Sequence, residues 1–61
     1  MPNLTTKELQ GLEETMNSEK VLVAKYKSMS ETTADGELKN TFMQIANKHQ
    51  QHFDKLSSFL K

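Results

Sequence analysis

Apolar residues recur along the chain at alternating spacings of three and four. One run passes through Leu9, Leu12, Met16, Glu19, Val23 and Tyr26; a second passes through Leu38, Phe42, Ile45, His49, His52, Leu56 and Phe59. This is the heptad spacing that places one stripe along one face of an α-helix and packs helices side by side at a shallow angle. No sustained period-two alternation occurs, so strands are not expected. Thr5 followed by Glu8 has the spacing of a capping box, which predicts a first helix over about residues 6–33. Gly11 lies inside it and costs roughly 1 kcal/mol relative to Ala. The cluster Thr32-Thr33-Ala34-Asp35-Gly36 is the only turn-like stretch inside the chain, and Pro2 is the only proline. Asp35 is suited to cap a second helix, with Glu37 in its first turn favouring the helix dipole. The expected layout is a single domain with a turn at 34–36 and a second helix over about 36–60, near the closing Lys61.

Each stripe has a second row beside it: Leu22 and Met29 on the first helix, and Ala46, Phe53 and Leu60 on the second. Two helices cover one row each, so the extra width asks for more helices, and a second copy of the chain is the simplest source. The expected fold is all-α: an antiparallel two-helix hairpin that dimerises into a four-helix bundle.

Length strengthens that expectation. A chain of 61 residues buries a small share of its surface, and folds this small usually add disulfides, a metal or association. Cysteine is absent, which removes disulfides and thiolate sites and fits a reducing compartment. Eight lysines balance eight acidic residues in an interspersed pattern, and there is no arginine. Without a basic face or the bidentate contacts of arginine, nucleic-acid binding is not expected. The longest apolar run, Val21-Leu22-Val23-Ala24, is far short of the roughly 20 residues of a membrane span. The opening Met1-Pro2-Asn3-Leu4 has neither the charged start nor the apolar stretch of a signal peptide. A soluble protein made inside the cell is expected.

Three polar residues interrupt the seams: Glu19, His49 and His52. With the turn near residues 34–35, Glu19 lies opposite a point near residue 50, between the two histidines. His49 and His52 are three apart and share a helix face. One carboxylate and two imidazoles are therefore expected in one layer, with Tyr26 about two turns nearer the loop. Two readings stay open. The layer can be a hydrogen-bonded polar cluster that sets register, as polar seam residues do in coiled coils. It can also hold a metal, and imidazole with carboxylate suits zinc, iron, manganese or copper. In a two-fold dimer the layer contains two Glu and four His.

The segment Glu19-Lys-Val-Leu-Val-Ala-Lys-Tyr26 resembles the first-helix pattern of ferritin-like and rubrerythrin-like proteins, a Glu with a Tyr seven residues later. Phe42-Met-Gln-Ile-Ala-Asn-Lys-His-Gln-Gln-His52 resembles their second-helix pattern, an apolar pair followed by Glu-x-x-His, and Asp35-Gly-Glu-Leu38 resembles their connection. The resemblance implies one half of a ferritin-like four-helix bundle, with Glu19 and His52 matching metal ligands and Tyr26 beside them. His49 stands where that pattern has Glu. Two copies then offer two carboxylates rather than four, which weighs against oxygen-activating di-iron chemistry. More narrowly, the opening Leu-Thr-Thr-Lys-Glu-Leu and the closing Lys-His-Gln-Gln-His-Phe-Asp-Lys-Leu are similar to short spore-coat proteins related to the Coat F family. That resemblance implies a structural component of the spore coat, with other coat proteins as partners.

The remaining chemistry-bearing residues add little. Met16, Met29 and Met43 read as gap-filling core. Asn47, Gln50 and Gln51 read as a neutral outer face. No Ser or Thr is placed beside a His with an orienting acid, and no Gly-rich phosphate loop occurs. Three readings follow, in this order: a structural coat-type homodimer, a metal-binding module using Glu19, His49 and His52, and a metal-dependent oxidase.

Overall fold

The computed structural model describes residues 4–60; Met1-Pro2-Asn3 and Lys61, used above to read the two ends of the chain, lie outside them. It contains two helices, α1 (Thr6–Thr32) and α2 (Gly36–Ser57), followed by a 3-10 turn at Ser58–Leu60. They pack against each other as an elongated hairpin of 47 × 15 × 11 Å. The expected all-helical hairpin is therefore what the described residues form.

The ends of the helices follow local chemistry. Thr5 is extended, its hydroxyl accepts from the Glu8 N–H at 3.0 Å, and the Glu8 carboxylate accepts from the Thr5 N–H at 2.9 Å. Two of the orphan amides at the helix start are satisfied reciprocally. At its other end α1 stops one residue short of the expected position. Thr33 turns extended (φ −77°, ψ 140°) while its N–H still reaches the Met29 carbonyl at 3.1 Å. The Thr33 hydroxyl accepts from the Asp35 N–H at 3.2 Å, and Asp35 in turn accepts from Glu37 and Leu38 N–H at 2.9 and 3.0 Å. The connection is thus Thr33-Ala34-Asp35, and Gly36 is already helical. No described residue has a positive φ, so the turn is held by side-chain caps and not by glycine's conformational freedom. At the end of α2, the Ser57 and Ser58 hydroxyls donate to the carbonyls of Asp54 and Lys55. Such back-bonding competes with the α-helical ladder and accompanies its tightening into the 3-10 turn.

Among the described residues only Val23, Ala46 and Ser30 are buried. Ser30 extends the first seam by one more step of four from Tyr26. Its hydroxyl donates to the Lys27 carbonyl at 2.7 Å and lies 3.4 Å from the Met43 sulfur. A small residue here lets the helices approach closely near the turn.

The rows differ from the expectation. Ala46 and Phe53 were placed in the outer row, yet Ala46 is buried, and in a two-helix molecule only α1 can cover it. Phe53 is half-buried with the Lys20 ammonium 5.9 Å from its ring centre. Leu38 (46%), His52 and Phe59 (44%) are exposed on α2, spaced by sevens with the half-buried Ile45 among them, and Leu60, expected in the outer row, is also 44% exposed. The flanks of α1 explain the choice. One flank is Glu13, Lys20 and Lys27, whose aliphatic stems can cover apolar surface while their charges stay in water. The other is Thr15, Leu22 and Met29, which carries no charge. Thr15, His52 and Phe59 line one open groove, so both uncharged rows lie on the same side of the hairpin.

The accessible surface is 4758 Å². A compact monomer of 7.0 kDa is expected to expose about 4,000 Å². The excess of roughly 700 Å² is close to the about 800 Å² that one partner contributes to a standard protein interface. Among the described residues no helix is long and apolar enough to cross a membrane.

Two tests address the local structure. A Cβ added at Gly11 meets nothing within 4 Å, so Gly11→Ala should raise stability by about 0.5–1 kcal/mol in urea denaturation. The Glu8 carboxyl is held below its ordinary range, first by the Thr5 backbone N–H and then by the Thr5 side chain. A lowered folded-state pKa stabilises above the ordinary carboxylate range, and that contribution disappears as pH falls through the lowered value. Amide exchange in the first turn of α1, corrected for intrinsic rates, should therefore accelerate across that window. Glu8→Gln should abolish the pH dependence.

Candidate metal centre

Glu19 projects from the middle of α1, and His49 and His52 project from successive turns of α2. The antiparallel hairpin brings all three together. Glu19 Oε1 is 2.5 Å from His49 Nδ1, and Glu19 Oε2 is 3.3 Å from His52 Nδ1. The carboxylate thus spans both imidazoles, one per oxygen. The rings of His49 and His52 meet edge-on with centres 5.8 Å apart. On its other side His49 stacks on Tyr26, with ring centres 6.2 Å apart and planes 16° from parallel. Tyr26 also touches Phe42, centre to centre 6.1 Å. Tyr26 and Phe42 therefore pack one imidazole from the loop side, while His52 is about half exposed.

Exposure is graded across the cluster: the Glu19 side chain is 14% exposed, His49 24% and His52 52%. The gradient follows the rows. Glu19 and His49 face the seam between the helices, and His52 belongs to the row left open on α2. Glu19 and His52 also line the groove shared with Thr15, Lys55, Leu56 and Phe59. The sequence reading did not single out Thr15 or Lys55. Their signal was positional: Thr15 is one turn before Glu19, and Lys55 is three residues after His52.

The arrangement has two chemical uses. An ionised carboxylate only accepts hydrogen bonds, so in the metal-free cluster the His49 contact requires an N–H on Nδ1, while His52 Nδ1 approaches the other oxygen without hydrogen-bond geometry. That satisfies the half-buried carboxylate at small cost. Alternatively, one donor atom from each residue lies within 4.8 Å of the others, a set able to close on a cation. No other group of three or more such side chains occurs among the described residues. Set against known proteins, the chain matches no protein-family model, no curated protein and no solved structure. The chemistry of the cluster must stand on its own geometry.

Glu19→Leu removes the acceptor of one hydrogen bond, and the two imidazoles left behind, 24% and 52% exposed, can bond to water in its place. In metal-free buffer Glu19→Leu should unfold within about 1 kcal/mol of the wild type. A loss above about 3 kcal/mol, on the scale of leaving a buried partner uncompensated, would show that the layer is a structural requirement.

Proposed function

We propose that this chain is an assembly protein: a hairpin that pairs with a second copy into a ferritin-like four-helix bundle and serves as a structural, coat-type building unit. The observation that carries this reading is the imbalance of burial. Three residues are buried among those described, while Leu38 and Phe59 on α2 stand 46% and 44% exposed, and His52 and Phe59 share an open groove with Thr15 of α1. A face of this kind is self-complementary across a two-fold axis, because each copy supplies the same apolar rows to the other. The absence of net charge and the interspersed charges leave nothing to repel a second copy. The spore-coat role rests on the resemblance of the opening and closing segments, and places other coat proteins among the partners.

A second reading is favoured by the Glu19–His49–His52 cluster. The bundle is then a metal-binding module, holding a divalent ion for storage, buffering or stability. A metal-dependent oxidase stands third, because His49 takes the place of a carboxylate and leaves the dimer two acids to balance two cations.

Sedimentation at micromolar concentration should give about twice the monomer mass. Ile45→Lys, which puts a charge at the centre of the open row, should shift the protein to monomer; a well-folded wild-type monomer would end the assembly reading. Elemental analysis of untagged protein purified without added metal tests the second reading. Bound metal should accompany the wild type and be absent from a His49→Ala, His52→Ala variant.

A further inference from the structure

We infer that each chain forms a complete mononuclear site for one divalent transition-metal ion, with all three protein ligands (Glu19, His49 and His52) drawn from the same hairpin. This rests on the metal-binding reading and sharpens it. A bundle built from two copies admits two arrangements: one ion shared near the two-fold axis by ligands of both copies, or one ion per copy. The distances favour the second. Bonds of about 2.0–2.1 Å in tetrahedral geometry place ligand atoms about 3.3 Å apart. Within one hairpin Glu19 Oε2 and His52 Nδ1 are already 3.3 Å apart. The Glu19 Oε1 to His49 Nδ1 contact of 2.5 Å uses the other carboxylate oxygen, but one donor atom from each of the three residues already lies within 4.8 Å of the other two, so side-chain rotation of about 1.5 Å closes the set. No ligand has to be borrowed.

The order of the cluster also suits an ion. His49 is held by Tyr26 stacking and Glu19 by its place in the seam, whereas His52 is exposed enough to swing onto the metal. As the ion takes the nitrogens facing Glu19, the proton of each neutral ring passes through solvent to its other nitrogen. The carboxylate then exchanges its hydrogen bond from His49 and its contact with His52 for a bond to the ion. Two imidazoles with one carboxylate select zinc or iron(II) over magnesium and calcium, which demand oxygen-rich sets. Three protein ligands leave at least one coordination position. Because Glu19 and His52 line the open groove, solvent or a small anion can complete the sphere. The ion also clips α1 to α2 near their midpoints, so binding stabilises a hairpin that has little core of its own.

The test is a calorimetric titration of the metal-free full chain with zinc(II), combined with subunit mixing. The wild type should bind one ion per chain, excess magnesium should not compete, and thermal unfolding should move upward with zinc. Glu19→Leu chains and His49→Ala, His52→Ala chains should each lose binding. A refolded equimolar mixture of the two variants should still lack it, since neither chain carries a whole ligand set. Circular dichroism of each variant establishes that loss of binding is not loss of helix. Recovery of sites in the mixture, or half an ion per chain in the wild type, would overturn the intrachain site while leaving metal binding itself in place. No binding by well-folded wild type would overturn both.

Discussion

A pair of helices has one mutual face, and everything else on either helix meets solvent or another molecule. That geometric limit governs this protein. α2 carries two apolar rows, Ala46 with Phe53 and Leu38 with Ile45, His52 and Phe59. α1 can cover one of them. It buries Ala46 and half-covers Phe53, along the flank where Lys20 lies over that ring, while Leu38, His52 and Phe59 stay exposed, the last two beside Thr15. The apolar surface left in water, about 25 cal/mol for each Å² that could be buried, is the driving force on which the proposed pairing rests. Specific pairing with a second copy is the simplest way to remove it.

The polar layer sits at the junction between the covered seam and the open face. Glu19 and His49 are held inside the hairpin, while His52 belongs to the row that a partner would cover. Burying a carboxylate is costly unless it is hydrogen-bonded or bound to a cation. Here His49 supplies its hydrogen bond from the opposite helix and His52 lies 3.3 Å from its other oxygen, contacts that a slide of one helix past the other would break. Assembly and metal binding would then reinforce each other. A partner packed beside His52 would narrow the groove through which solvent reaches the ion, and an ion between the helices would fix the shape of the face that the partner meets.

Much of this was legible in the residues. Thr5 with Glu8, and Asp35 with Glu37, mark helix starts because their side chains can bond only to amides at fixed offsets. The meeting of Glu19 with His49 and His52 followed from antiparallel register about a short turn, which depends on counting and not on packing detail. Three features were hidden, each for a physical reason. A heptad pattern identifies a stripe but not which edge of it turns toward the partner helix, so Ala46, expected in the outer row, is buried, and His52, expected in the seam, is exposed. That choice depends on the flanks of α1, charged on one side and uncharged on the other. Ser30 continues the seam by spacing, but a hydroxyl does not register in a search for apolar residues. Gly36 looked like a turn residue, whereas Thr33 and Asp35 close the connection with side-chain bonds and leave the glycine in the helix.

The central physical claim is that the folded state belongs to two chains and not to one. The most direct measurement is the urea midpoint followed across a hundredfold range of protein concentration in metal-free buffer. When folding and pairing are one equilibrium, each tenfold rise in concentration adds about 1.4 kcal/mol to the apparent stability. The midpoint should therefore climb steadily with concentration. A midpoint that stays constant across that range, with helix content intact at the lowest concentration, would mean that the hairpin stands alone.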